Sequence, residues 1–189
     1  MYKRQVTEKP FILFVSTIER RKNHETLYRA YTKLIEKGVK NLPLLVFVGM
    51  PGWGINDFML DLKLDPRTQK SVVMLNNVTD AELVTLYSKC WVSAFPSLYE
   101  GWGLPVAESL SFGKYCIASN AASIPEVGGD LINYLDPWDV SAWAAEIEFL
   151  LSNPEDLKAR EEKIKNQYVP VSWQDTAASV FQVASTSRG

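Results

Sequence analysis

Phe11-Ile-Leu-Phe-Val15, then Ser16-Thr-Ile-Glu-Arg-Arg-Lys-Asn23, then a helical pattern over residues 24–38, then Leu44-Leu-Val-Phe-Val48: this order of segments decides the fold. Each five-residue apolar run is rich in β-formers and too short for a helix, so it reads as a strand buried on both faces. Between them Leu27, Ala30, Tyr31, Leu34 and Ile35 fall on one helical stripe, and Gly38 is placed to stop it. Strand, loop, helix, strand predicts a parallel pair joined by a helical crossover.

The pattern repeats along the chain. Further strands are expected at 71–75, 91–95, 115–118 and 131–134. Helices are expected at 58–69, from Asp80 to about 89, and over 105–112, where Pro105 suits a first turn and Gly113 a stop. Thr79-Asp-Ala-Glu82 has the spacing of a capping box. Three helical patterns close the chain: 140–151, with Trp143, Ile147, Leu150 and Leu151 on one face; 154–168; and 172–184, with Trp173, Ala177, Val180, Phe181 and Ala184 as apolar positions. The fold class is therefore α/β: a Rossmann-like parallel sheet of about six strands with helices on both faces.

Composition narrows the function. The 189 residues, 47% hydrophobic and 12% aromatic, suffice for one packed domain. Lys plus Arg is 20 against 22 Asp plus Glu, which speaks against a basic nucleic-acid-binding surface. The apolar runs fall far short of the ~20 residues of a membrane helix, and no signal peptide opens the sequence. Cys90 and Cys116 are too few for a disulfide framework or a four-cysteine zinc site; they read as buried reduced thiols of a cytosolic protein.

In a parallel sheet of this kind ligands bind beyond the carboxyl ends of the strands. The loops there are 16–23, 49–54, 76–79 and 96–104. The first carries Arg20, Arg21 and Lys22 just before a helix, an arrangement that suits a phosphate or diphosphate but also reads as a solvated charged run. His24 could be a base or a ligand, or the surface or capping residue that a lone histidine at a helix start more often is. The loop Pro96-Ser-Leu-Tyr-Glu-Gly-Trp-Gly-Leu-Pro-Val-Ala-Glu108 places Glu100 and Glu108 around a glycine-rich turn and a helix start. Two carboxylates so placed can accept the hydroxyls of a sugar or a ribose. Alternatively, Glu100 is a surface residue and Glu108 only favours the helix dipole. The first loop holds no glycine, so the dinucleotide-binding fingerprint is missing, and the sequence contains no P-loop motif.

The segment from Glu100 to Glu108 resembles the signature of the group 1 glycosyltransferases, also called glycosyltransferase family 4. Ser16–Asn23 resembles the family's Gly-Thr-Leu-Glu-Pro-Arg-Lys-Asn segment, and Gly49-Met-Pro-Gly-Trp53 its second glycine loop. Ala118-Ser-Asn-Ala-Ala-Ser-Ile-Pro-Glu-Val-Gly128, Asp136-Pro-Trp-Asp139 and Ser172-Trp173 agree in order. The resemblance covers residues 10–185. It departs at Ser16, where the family has Gly, at Arg20, where it has Pro, and at Thr17, where many members have Arg. Arg21 or Arg20 must then supply the second cation.

The resemblance implies the C-terminal, donor-binding half of a GT-B enzyme, with residues 1–9 a leader or a truncated interdomain segment and 10–189 the nucleotide-sugar-binding domain. By it, Arg21 and Lys22 would hold the donor diphosphate. Gly101, Trp102, Gly103 and Leu104 would present backbone groups to the sugar and phosphates. Glu100, the candidate catalytic residue, would orient the sugar hydroxyls, Glu108 would take the ribose, and Asn76 and Val78 at the third-strand loop would meet the base. The implied reaction retains anomeric configuration, needs neither metal nor cofactor, and moves a hexose of mannose or glucose type. The donor is GDP- or UDP-linked, and the acceptor is a glycan or lipid-linked molecule bound through an N-terminal half. The Gly49–Trp53 loop and the Arg-Lys-Asn segment lean toward mannose donors in surface-polysaccharide assembly. The implied location is the cytoplasm or the inner face of the membrane, with no transmembrane segment and no nucleic acid as partner. Met1-Tyr-Lys-Arg-Gln5 resembles the translated end of a sequencing transposon, which implies a natural reading frame continuing upstream. The competing reading is a non-catalytic module that binds a nucleotide sugar or a protein partner.

Overall fold

The structure, a computed structural model, describes residues 6–186; the segment 1–5 lies outside the described residues. Six strands form one parallel sheet: β1 (Phe11–Val15), β2 (Leu44–Val48), β3 (Val72–Leu75), β4 (Val92–Phe95), β5 (Cys116–Ser119) and β6 (Tyr134–Leu135). Their order is β3-β2-β1-β4-β5-β6, so the chain reverses direction across the sheet between β1 and β4. Phe11 pairs with Leu44 and Val15 with Val48, while Ile12 pairs with Val92.

Among the described residues, the helices that connect and flank the strands are α1 (His24–Glu36), α2 (Asn56–Leu64), α3 (Asp80–Lys89), α4 (Leu104–Ser111), α5 (Ile124–Gly128), α6 (Val140–Ser152), α7 (Pro154–Gln167) and α8 (Trp173–Thr186). Strand alternation sends successive side chains of β1 to opposite faces. Phe14 meets Phe47 edge to face at 6.0 Å on the side covered by α1 and α2. Phe11 and Leu13 join Val46, Val48 and the α3 residues Leu86 and Tyr87 on the other side, together with buried Val6. Phe11, Phe14, Phe47 and Phe95 are buried, each contributing roughly 1.5–3 kcal/mol of apolar transfer. Trp143, Ile147 and Leu150 bury the inner face of α6, as their spacing predicts. Cys90 and Cys116 are both buried, and burial pushes each thiol up to about 12.

The local signals have identifiable outcomes. Gly38 (φ +78°) closes α1, with Gly38 N–H bonded to Ile35 and Val39 N–H to Leu34, a left-handed helix stop. The capping box forms: Thr79 Oγ1 accepts from Glu82 N at 3.3 Å, and Thr79 N donates to Glu82 Oε2 at 2.8 Å.

Two expectations need correction, and one element is new. Helix α2 runs over 56–64 rather than 58–69, because Pro66 disfavours the helical conformation at Asp65, which is extended (ψ 108°). The last strand lies at 134–135 rather than 131–134, since residues 129–131 form a 3-10 turn. Helix α5 was not anticipated; it is five residues long, too short to show a period, with Pro125 in its first turn. On α8, Val180 and Phe181 are 64% and 75% exposed.

Candidate active site

Parallel pairing brings the loops after β1, β2, β3 and β4 to one edge of the sheet. Loops one and two are tied together there. Ile18 N–H bonds to Met50 O at 2.9 Å, and Gly52 N–H to Ile18 O at 2.8 Å. Gly49 makes this possible: a Cβ at that position would lie 1.9 Å from Ser16 O.

Arg20, Arg21 and Lys22 form a 3-10 turn that passes into α1 through Asn23, which is left-handed (φ 58°, ψ 42°). Asn23 is buried and pins this turn from below. Its Nδ2 donates to Pro96 O at 3.1 Å and to Pro137 O at 2.8 Å. Thr26 Oγ1 donates to Pro137 O at 2.8 Å. Two further bonds join the turn to the loop after β4: Leu98 N–H to Arg21 O at 2.8 Å and Ser97 Oγ to Arg21 O at 3.1 Å.

These ties bring Arg21, Lys22 and Glu100 together, although Glu100 is 78 residues beyond Lys22. Lys22 Nζ donates to Glu100 Oε1 at 2.6 Å, Ser97 Oγ donates to the same oxygen at 2.6 Å, and Arg21 Nη1 reaches Glu100 Oε2 at 2.8 Å. Partial burial pushes the Glu100 carboxyl up, but the hydrogen bonds from Lys22, Ser97 and Arg21 together outweigh it and hold it below its ordinary range. Arg21 also donates to Tyr99 O at 2.7 Å and to Glu19 Oε1 at 2.8 Å. The Lys22 ammonium lies 5.5 Å from the Phe95 ring centre. Arg21, not Arg20, accompanies Lys22; Arg20 is exposed and lies beside Gly54.

Helix α4 opens a few residues after Glu100. Gly103 (φ 124°, ψ 49°) precedes it, no side chain caps it, and Pro105 has no N–H to offer. Val106 and Ala107 N–H turn back to Gly103 O at 3.0 and 3.2 Å, so the first turn presents the Leu104 N–H and the positive end of the helix dipole. Ser123 fixes this turn from α5's side, its Oγ donating to Glu100 O at 2.9 Å. One turn into α4, exposed Glu108 accepts from Tyr87 OH at 2.7 Å through Oε2. Asn76 and Val78 share the same sheet edge at the end of β3, two strands from β1; Asn76 is exposed, and Val78 packs beside the α3 cluster. A cleft of about 810 Å³ opens on the other side of the cation turn, lined by Glu19, Arg20, Arg21, His24, Leu98 and Trp138 among others.

His24 corrects its more usual reading as a surface or capping residue. It is buried against Phe14 at 4.3 Å and Phe47 at 4.9 Å, with Nε2 3.3 Å from Ser16 Oγ. Burial, reinforced by the Lys22 charge, pushes its pKa down to about 3, so it is neutral and structural. The residues that sequence reasoning missed are Ser97, Ser123 and Tyr87, which orient Glu100 and Glu108. Small hydroxyl residues far apart in sequence carry no spacing signal. Among the described residues, no group of three or more His, Cys, Asp or Glu is arranged to hold a metal, and no helix is long and apolar enough to cross a membrane.

A family model described as glycosyl transferases group 1 matches residues 3–168. The chain belongs to the group 1 glycosyltransferases. This glycosyltransferase chain is 35% identical over 147 residues to the O-antigen chain mannosyltransferase B of Escherichia coli, covering 78% of the chain and 38% of that protein. It is 29% identical over 167 residues to the serotype-specific mannosyltransferase WbdA of Escherichia coli, covering 88% of the chain and 20% of that protein. It thus spans well under half the length of these relatives. The solved Anabaena Alr3699/HepE, in complex with UDP, superimposes with a TM-score of 0.76 at 16% identity, over 96% of this chain and 50% of that one. That likeness shows the fold, the Rossmann-like sheet of a GT-B glycosyltransferase.

Proposed function

We propose that this chain is the donor-binding half of a retaining, metal-independent hexosyltransferase. It would present a nucleoside diphosphate sugar to an acceptor held by an N-terminal half. The observation that carries this reading is the convergence of Lys22, Arg21 and Glu100 at the uncapped start of α4. A diphosphate has two or three negative charges. Lys22, Arg21 and the dipole end of α4 with its Leu104 N–H supply positive charge in fixed positions, which stabilises charge developing on a departing diphosphate.

Each remaining group has a task set by its chemistry. The Gly101–Leu104 turn offers backbone donors to the sugar and phosphates. Glu100 accepts hydroxyls of the transferred sugar, and Glu108, with one oxygen already steadied by Tyr87, accepts those of the ribose. Asn76 and Val78 flank the base. The acceptor hydroxyl attacks from the face the leaving group departs, so Glu100 orients the sugar and does not become a covalent nucleophile. The relatives named as mannosyltransferases support a mannose-type sugar; the donor would be GDP- or UDP-linked and the acceptor a glycan or lipid-linked molecule. Residues 10–189 would form the donor domain, at work in the cytoplasm or at the inner membrane face.

Thermal unfolding with GDP, UDP, ADP and their sugars tests this. A ligand at about 100 times its Kd adds roughly 2.7 kcal/mol, or about 5–10 °C in Tm. The expected result is a shift with one nucleotide that disappears in Lys22→Ala and Glu108→Ala. No shift with any nucleotide would contradict the reading.

A further inference from the structure

The cations that would receive a diphosphate are already neutralised. Arg21 and Lys22 contribute two positive charges, and Glu19 and Glu100 contribute two negative charges in direct contact with them. A diphosphate brought to this cluster would meet no net positive charge and would lie against the Glu100 carboxylate. Like charges this close disfavour each other strongly. The carboxylate must therefore leave Lys22 and Arg21 before a diphosphate can take them.

The local structure allows that movement. Ser123 Oγ anchors the Glu100 carbonyl at 2.9 Å, so the side chain can swing on a fixed backbone. Gly101 follows with nothing within 4 Å of where its Cβ would stand, and Tyr99 before it is 65% exposed. The displaced carboxylate loses charge-assisted bonds to Lys22, Ser97 and Arg21, each stronger than a neutral hydrogen bond. It needs replacement donors. The hydroxyls of a donor sugar supply them; a nucleoside diphosphate without its sugar supplies none at Glu100, since its ribose hydroxyls go to Glu108.

We propose that Glu100 is an exchangeable internal counter-ion that makes the cation site discriminate the intact nucleotide sugar from the spent nucleoside diphosphate. The intact donor repartners the carboxylate it displaces. After transfer the diphosphate alone cannot, and Glu100 returns to Lys22 and Arg21 and helps expel it. This rests on the donor-site reading, and it predicts a sign that a supporting role would not give.

The test is isothermal titration of the chain and of Glu100→Gln with inorganic pyrophosphate, GDP, UDP and the corresponding sugars. The variant should bind pyrophosphate and the free nucleoside diphosphate about tenfold more tightly, the size of one charge-assisted contact, and should lose preference for the nucleotide sugar over its diphosphate. Circular dichroism confirms folding; if Glu100→Gln does not fold, Glu100→Ala serves, with the same expected sign. Unchanged or weaker pyrophosphate binding in a folded variant would overturn the proposal, because Glu100 would then only hold Lys22 and Arg21 in place. If the unaltered chain binds a nucleotide and the variant shows no tightening, the exchange fails while the donor reading stands. If pyrophosphate binding tightens but no nucleotide or nucleotide sugar binds either form, Glu100 is only a counter-ion of an anion site, and the donor reading and the proposed discrimination both fail.

Discussion

At the residue scale, His24 and Asn23 show how a buried polar group steadies a site it does not serve chemically. His24 sits between Phe14 and Phe47 with Nδ1 unpartnered, and its pKa is lowered to about 3. In the unfolded chain it titrates near 6.5. Between these values the unfolded state binds the additional proton, so stability falls as pH drops below about 6.5, by roughly 1.4 kcal/mol per pH unit for this group. His24→Phe removes that proton uptake. Urea unfolding at pH 7 and pH 5 is expected to show the variant losing about 2 kcal/mol less than the unaltered chain over this interval. Equal losses would refute the assignment. Asn23 combines a left-handed backbone with bonds to Pro96 and Pro137. Asn23→Gly keeps the backbone but takes the Asn23 bond from Pro96 O and leaves Pro137 O to Thr26 Oγ1, costing about 1–3 kcal/mol; Asn23→Ala adds backbone strain and should cost more. Denaturation midpoints at equal m-value read the difference.

At the element scale, the start of α4 depends on a glycine. Gly103 is buried at φ 124°, and a Cβ there would lie 3.4 Å from Val127 Cγ2. Gly103→Ala is expected to destabilise by about 1–2 kcal/mol, lowering Tm by very roughly 3–6 °C, and to weaken nucleotide binding beyond that. A variant with the original Tm and affinity would show that the turn needs no glycine. The elements with a clear apolar signal were legible: β1, β2, α1 and α6 are where short apolar runs and helical spacing put them, and Thr79 caps α3 through Glu82. Illegible were elements set by contacts remote in sequence. Helix α5 is too short for a period, and β6 has two residues paired to β5. At the site the charged residues could be read as candidates because cations before a helix and carboxylates around glycines have recognisable chemistry. Their mutual neutralisation could not, since it depends on Asn23, Ser97 and Ser123 bridging distant loops.

At the scale of the whole molecule, one sheet edge gathers four loops and the start of α4, and the rest of the chain supports that edge. Among the described side chains of α8, Val180, Phe181 and Val183 are exposed at 64–75%. Removing residues 174–189 should shift the Tm of the remaining domain by no more than about 3 °C, the range of a ~1 kcal/mol change; a loss of 10 °C or more would place α8 in the cooperative unit. The central claim is that the Lys22–Arg21–Glu100 cluster and Glu108 receive a nucleotide sugar. A crystal structure of the chain grown with GDP-mannose tests it most directly, or with the sugar of whichever nucleotide gives the larger thermal shift. The predicted result is diphosphate oxygens within hydrogen-bonding distance of Lys22 Nζ and Arg21, ribose hydroxyls on Glu108, and Glu100 turned from the cations to the sugar. A saturated crystal with the nucleotide bound elsewhere, or with Glu100 still closed on Lys22 and the site empty, would contradict it.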